Sequence, residues 1–159
     1  MGRVRKDGTF YLFKIYKFRS MVPNADQMLK DLQAQNEATG PMFKMKHDPR
    51  IIPGVGNFIR KHSIDELPQL INVFLGQMNL IGPRPGLPRE VALYSEHEMK
   101  RLAVKPGCSG PWQVMGRSHL GFDEMVTLDL DYIERRSLGQ DLRLIIGTLK
   151  TMISGDGAA

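Results

Sequence analysis

The stretch Ser63-Ile64-Asp65-Glu66-Leu67-Pro68-Gln69-Leu70 constrains this chain more than any other. It opens like a capped helix, with Ser63 as N-cap and Glu66 at the position of a capping box. Leu67, Leu70, Ile71 and Phe74 then recur at helical spacing and form one stripe, ended by Gly76. Pro68 disturbs this reading, because its missing N–H would bond back to Ile64. The helix therefore starts irregularly or begins nearer Pro68. On either reading Asp65 and Glu66 stand at a helix N-terminus, where the dipole and free N–H groups favour ionised carboxylates.

The rest of the chain is punctuated too often for long regular elements. Thr9 to Arg19, aromatic and β-branched, reads as a strand, and its lysines suit a sheet edge. Asn24 to Ala38 reads as a polar helix ended by Gly40-Pro41, and Met42 to Asn57 as loop. Gly76 to Pro88 is again loop, and Arg89 to Val104 reads as a helix stopped by Pro106-Gly107. Trp112 to Met115 reads as a short strand, Phe122 to Arg135 as an amphipathic helix, and Asp141 to Ile153 as a last helix. Several amphipathic helices with a few short strands, not alternating as a doubly wound sheet requires, indicate an α+β fold. The 159 residues suit a single domain, 1–159.

Composition narrows the function classes. With 42% hydrophobic and 25% charged residues the chain is not of disordered type. A net charge of +5 favours an anionic partner, although a mildly basic surface needs no partner at all. The single cysteine, Cys108, excludes an internal disulfide and fits a reducing compartment. No secretory signal opens the chain, and no apolar run approaches the roughly 20 residues that span a bilayer. A place on a membrane surface stays open.

An ionised Asp65 is a competent nucleophile, and an adjacent Glu66 can hold a hard cation such as Mg²⁺. Taken alone, the pair reads more readily as helix capping. Arg19, Arg50, Arg60, Arg84 and Arg117 each stand at an element boundary or in a tight turn, where a guanidinium fork is held for bidentate phosphate contact. Singly each reads as a surface charge, except Arg84, which is locked between Pro83 and Pro85. The glycine-rich pieces match no phosphate or dinucleotide fingerprint, and the four histidines show no metal-ligand spacing. His97 belongs to an exposed helix face, Trp112 to the core rather than a stacking platform, and Asp129 and Asp131 line a helix, with a cation role as the alternative.

Taken together, the motifs resemble the bacterial sugar transferases, the monotopic polyprenyl-phosphate phosphoglycosyl transferases. The matching pieces run in family order: Lys17-Phe18-Arg19-Ser20-Met21, Asp48-Pro49-Arg50, Phe58-Ile59-Arg60-Lys61, Ser63 to Leu70, Pro83-Arg84-Pro85, Lys105-Pro106-Gly107, Trp112-Gln113-Val114, Gly116-Arg117-Ser118 and Leu128-Asp129. Gly40-Pro41-Met42-Phe43-Lys44 is similar to the larger exopolysaccharide members. The resemblance implies transfer of a sugar phosphate from a nucleotide diphosphate sugar, usually a UDP-sugar, to undecaprenyl phosphate, with release of UMP. It places a nucleophile at Asp65, which would form a covalent phosphosugar intermediate, and a Mg²⁺ ligand at Glu66. It puts phosphate contacts at Arg60 and Arg84, and more loosely at Arg19, Arg50 and Arg117. It implies the cytoplasmic face of a bacterial membrane and no nucleic acid partner.

The family's membrane hairpin precedes the first motif and is not matched here, so the expectation is peripheral attachment through amphipathic helices and positive charge. Arg5 replaces a usual glycine, Gln77 replaces the aspartate of a Gly-Asp-Met motif, and Cys108, Pro111 and Met115 stand where other residues are commoner. Two other readings remain open: an inactive, truncated paralogue, and a basic module that binds RNA or anionic lipid without chemistry.

Overall fold

The computed structural model describes residues 2–4, 10–116 and 120–155, with side chains from residue 11 onward. Eight α-helices are present among these: α1 Ala25–Leu32, α2 Val55–Lys61, α3 Gln69–Phe74, α4 Pro88–Val91, α5 Glu96–Met99, α6 Pro111–Met115, α7 Phe122–Arg135 and α8 Leu138–Ser154. Strands β1 Gly2–Val4 and β2 Phe10–Leu12 pair antiparallel, with Arg3 opposite Tyr11. Strands β3 Asn79–Ile81 and β4 Gly107–Ser109 pair in parallel. The α+β architecture agrees with the sequence reading. No helix among the described residues is long and apolar enough to cross a membrane.

Four local readings change. The expected strand from Thr9 to Arg19 is regular only over Phe10–Leu12; the chain beyond it is extended but pairs with side chains rather than a strand. Trp112 to Met115 is not a strand but helix α6, because Pro111 at its first turn presets a helical φ. Arg89 to Val104 is not one helix. A capping box restarts it at Ser95, whose N–H donates to Glu98 Oε2 at 2.6 Å, and a 3₁₀ turn follows over Lys100–Ala103. Helix α2 begins at Val55, inside the segment expected as loop up to Asn57, and runs on to Lys61. The last two helices come close to expectation, with α8 capped by the Ser137 hydroxyl.

Helix α7 carries the core. Phe122, Met125 and Val126 pack with Met42, Tyr94 and Trp112, while Tyr132 meets Ile81 and Leu144 of α8. His97 is exposed, as expected. Strands β3 and β4 approach so closely that a Cβ on Gly107 would lie 2.1 Å from the Gly82 backbone nitrogen. Only glycine permits this contact. It fixes the start of the Pro83-Arg84-Pro85 turn, whose Pro83 carbonyl accepts from the Gly107 N–H at 3.0 Å.

Helix α3 is turned inside out. Its polar residues Gln69 and Asn72 are buried, while Leu70, Ile71 and Phe74 of the apolar stripe are exposed, Phe74 by 92%. Asn72 acts as a clamp. Its Nδ2 donates to the Lys14 carbonyl at 2.7 Å and to Gln77 Oε1 at 2.6 Å, and its Oδ1 accepts from the Tyr16 N–H at 3.1 Å. Gln77 thus supplies an acceptor at the position where the resemblance implies a carboxylate. Asn72→Ala leaves Lys14 and Tyr16 backbone groups unsatisfied next to buried structure, and is expected to cost roughly 3 kcal/mol. Urea unfolding measures it; an unchanged midpoint would show that the clamp carries no stability.

Candidate active site

Three segments converge on Asp65 and Glu66. The first is the extended chain that Asn72 holds, which continues through Lys17 and Phe18. The Phe18 N–H donates to the Asp65 carbonyl at 2.9 Å, and Lys17 Nζ lies 2.5 Å from Glu66 Oε1. The second is a 3₁₀ turn over Ile64–Glu66, entered through Ser63. Ser63 has φ 53°, the only positive φ outside glycine among the described residues, and makes no side-chain cap. A left-handed serine costs about 1 kcal/mol, and such strain collects at functional turns. The capping box expected at Ser63 is therefore absent: with no N–H on Pro68, regular helix begins only at Gln69, with Pro68 at the N-cap. The strained entry leaves Asp65 buried, at 5% exposure, and Glu66 half-buried against Lys17. The third segment is the Pro83-Arg84-Pro85 turn after β3.

The two carboxylates differ electrostatically. Burial pushes the Asp65 carboxyl above its ordinary value and outweighs the pull of Lys17 and Arg60, while the Glu66 charge adds to the push. Burial acts the same way on Glu66, but there Lys17, Arg84 and Arg60 together win and hold it below its ordinary value. Glu66 is thus the firmly ionised partner and Asp65 the less solvated, more basic one. Removing the ammonium in Lys17→Met takes away the strongest cation acting on either group. Both carboxyls are expected to titrate at higher pH, Glu66 most, in a carboxyl ¹³C NMR titration; unmoved midpoints would dismiss Lys17 as their partner.

The arginines named from the sequence divide. Arg60, in the last turn of α2, acts on both carboxylates and has a buried Nε with no hydrogen-bond partner. Arg84 acts on Glu66 and lies 4.9 Å from the centroid of the Trp112 ring. These two join Asp65, Glu66 and Lys17 in one cluster. Arg60 and Arg84 also line a cavity of about 290 Å³ with Phe43 and Trp112. Arg60 also lines a second one of about 500 Å³ with Lys46 and His47. Trp112 is half-buried on the core cluster, as expected, yet its ring also backs Arg84. Arg50 is elsewhere engaged. It is buried, paired to Asp48 through Nε at 2.8 Å and Nη2 at 2.6 Å, and stacked on Phe43. Arg19 is exposed and takes no part in an ion pair among the described residues. Arg117 lies outside the described residues.

Two contributors escaped the sequence reading. In the sequence Lys17 stands out only as part of the Lys17-Phe18-Arg19-Ser20-Met21 motif. Asp129, read as lining a helix, is fully buried and pairs with Arg101 at 2.6 Å. Arg101 in turn donates from Nη2 to the Arg84 carbonyl at 3.1 Å and from Nη1 to the Tyr94 hydroxyl at 3.1 Å. A buried ion pair therefore holds the backbone of the arginine that reaches the site. The signal was present: Phe122, Met125, Val126 and Asp129 share one helical spacing, so a carboxylate sits on the apolar stripe of α7.

The site gathers three cationic side chains, Lys17, Arg60 and Arg84, with one ionised and one buried carboxylate beside them, a charge arrangement that suits an anionic ligand. Among the described residues no group of three His, Cys, Asp or Glu side chains forms a metal cluster.

The sequence model of the family described as bacterial sugar transferase matches residues 2–155. Over 158 residues the chain is 47% identical to the galactosyl transferase CpsE of Streptococcus agalactiae serotype III, covering 99% of this chain and 34% of that protein. It is 44% identical over 151 residues to the undecaprenyl-phosphate galactose phosphotransferase of Salmonella typhimurium, covering 92% and 32%. It is 35% identical over 150 residues to the exopolysaccharide production protein ExoY of Rhizobium meliloti, covering 92% and 66%. The chain thus spans about a third of the length of the first two relatives.

Proposed function

The chain belongs to the bacterial sugar transferase family, and from that premise we propose that it transfers a sugar phosphate from a UDP-sugar to undecaprenyl phosphate, releasing UMP. This is the reaction class that starts exopolysaccharide and capsule assembly. One observation carries the reading: a buried carboxylate, Asp65, lies beside an ionised one, Glu66, under the cations Lys17, Arg60 and Arg84.

Asp65 is the nucleophile. Its carboxylate oxygen attacks the sugar-bearing phosphorus, the bond from that phosphorus to the bridging oxygen breaks, and UMP leaves with the electron pair. An oxygen of the acceptor phosphate then attacks the same phosphorus, and the Asp65 carboxylate departs. Two displacements replace one reaction between two bulky substrates. Burial supports the assignment, since a poorly solvated carboxylate is a stronger base and gives up less water on attack. The cations lower the cost of bringing an anion to an anionic phosphorus. Arg60 and Arg84 would hold the donor phosphates, and the two cavities that Arg60 lines offer room for the rest of the donor.

Glu66 would hold Mg²⁺. Its carboxylate is ionised and supplies hard oxygens, and two carboxylates with substrate phosphates and water meet the coordination preferences of that ion. When bound, Mg²⁺ would neutralise charge on the donor diphosphate. Lys17 occupies one oxygen of Glu66, which orients the carboxylate and leaves the other oxygen for a cation.

The names of the first two relatives make UDP-galactose the first donor to test. Incubated with undecaprenyl phosphate in detergent, the protein is expected to release UMP and form a lipid diphosphate sugar. Absence of UMP across a panel of UDP-sugars would leave only binding without chemistry, the reading of an inactive paralogue or a basic module.

A further inference from the structure

A cleft of about 240 Å³ runs between α3 and α8, over the β3–β4 pair. Leu67 and Leu70 form one wall, and Ile145, Leu149 and Met152 the other. Glu66 is the sole charged side chain on it. Two of its hydroxyls are already engaged: Ser109 and Thr148 bond to each other at 2.6 Å, and Thr148 donates to the Leu144 carbonyl at 2.8 Å. Towards solvent, the rim continues into exposed apolar side chains: Leu70 at 47%, Leu80 at 49% and Leu149 at 56%. The cleft is thus mostly apolar, with Ser63 and Gln113 as its other polar side chains, and it ends at the cation-bound carboxylate of the site.

We propose that this cleft holds the first isoprene units of the acceptor, whose phosphate then meets Lys17, Arg60 and Arg84. The proposal rests on the transferase reading and adds where the lipid lies. Only an amphiphile with an anionic head and a hydrocarbon tail suits both ends of the cleft. A protein helix or a second copy would bring no anion to the cations beside Glu66. A cavity of about 150 Å³ takes benzene, so this one takes roughly ten carbons, or two isoprene units. Further units lie outside it, along the exposed apolar faces of α3 and α8.

Tail-length dependence tests this in detergent, with dimethylallyl, geranyl and farnesyl phosphates as acceptors. Apolar burial predicts that the second isoprene unit raises acceptor kcat/KM about tenfold or more, and that the third adds little. Leu70→Asp and Leu149→Asp are expected to collapse the geranyl-to-dimethylallyl ratio. Phe74→Asp, on the same exposed face but outside the cleft, is expected to keep it. Cys108 lines the cleft and is the only cysteine, so its modification by a methylthiosulfonate reports occupancy without turnover. Geranyl phosphate should slow that modification, and inorganic phosphate should not. A flat dependence on tail length, or leucine variants that keep the ratio and lose only vesicle binding, would overturn the cleft and mark those leucines as membrane contacts. Absence of UMP release with every acceptor would instead sink the transferase reading, and Cys108 protection would still decide the cleft.

Discussion

Asp65→Asn is expected to abolish UMP release from the UDP-sugar, by at least about a thousandfold, while the protein stays folded. The amide keeps the shape of the carboxylate and cannot form the acyl phosphate. Stability distinguishes lost chemistry from lost structure, and its sign follows from linkage. Burial raises the Asp65 pKa in the folded protein above its unfolded value. The folded state therefore keeps that proton to higher pH, and ionisation at neutral pH opposes folding. Removing the charge should leave the melting temperature at pH 7 equal or higher, with the difference vanishing below the unfolded carboxylate range. For the same reason, the acid limb of UMP release should lie above the ordinary aspartate range and move further up in Lys17→Met. An Asp65→Asn protein that still releases UMP would remove Asp65 from the chemistry. One that melts well below the parent would make the loss structural.

The parts of this site legible in sequence were those whose meaning is local. Asp65 and Glu66 declared themselves as acids at the start of a helix, and Arg84 by its flanking prolines. What sequence did not show was set by contacts between distant segments. Nothing near Lys17 says that it bonds to Glu66; Asn72 decides it by clamping Lys14 and Tyr16 to α3. Arg50 looked like Arg60 in sequence, and only packing shows that Asp48 takes its fork. The apolar stripe of α3 has a core pattern, yet it faces outward because Asn72 and Gln69 are needed inside. Short elements misled most. The apolar run at Trp112 fits a strand or a helix equally, and Pro111 decides between them.

Asp129→Ala is the second large effect, and it acts on both stability and the site. It leaves the Arg101 guanidinium, 2% exposed, without its counter-ion. Breaking one partner out of a buried pair costs about 3–5 kcal/mol, a large part of the roughly 5–15 kcal/mol that a domain has. Early unfolding in urea is therefore expected, and weak activity in this variant alone would say nothing about Arg84. The double variant Asp129→Leu with Arg101→Met separates the two effects. With both charges gone and apolar volume in their place, much of the stability should return. The Arg84 carbonyl, however, still lacks the Arg101 donor that holds it. If that contact positions Arg84 for phosphate, the double variant should fold well and yet keep a raised KM for the UDP-sugar, as Arg84→Lys would. A double variant with parental stability and parental KM would reduce the buried pair to a stability element and leave Arg84 held by its prolines and Trp112.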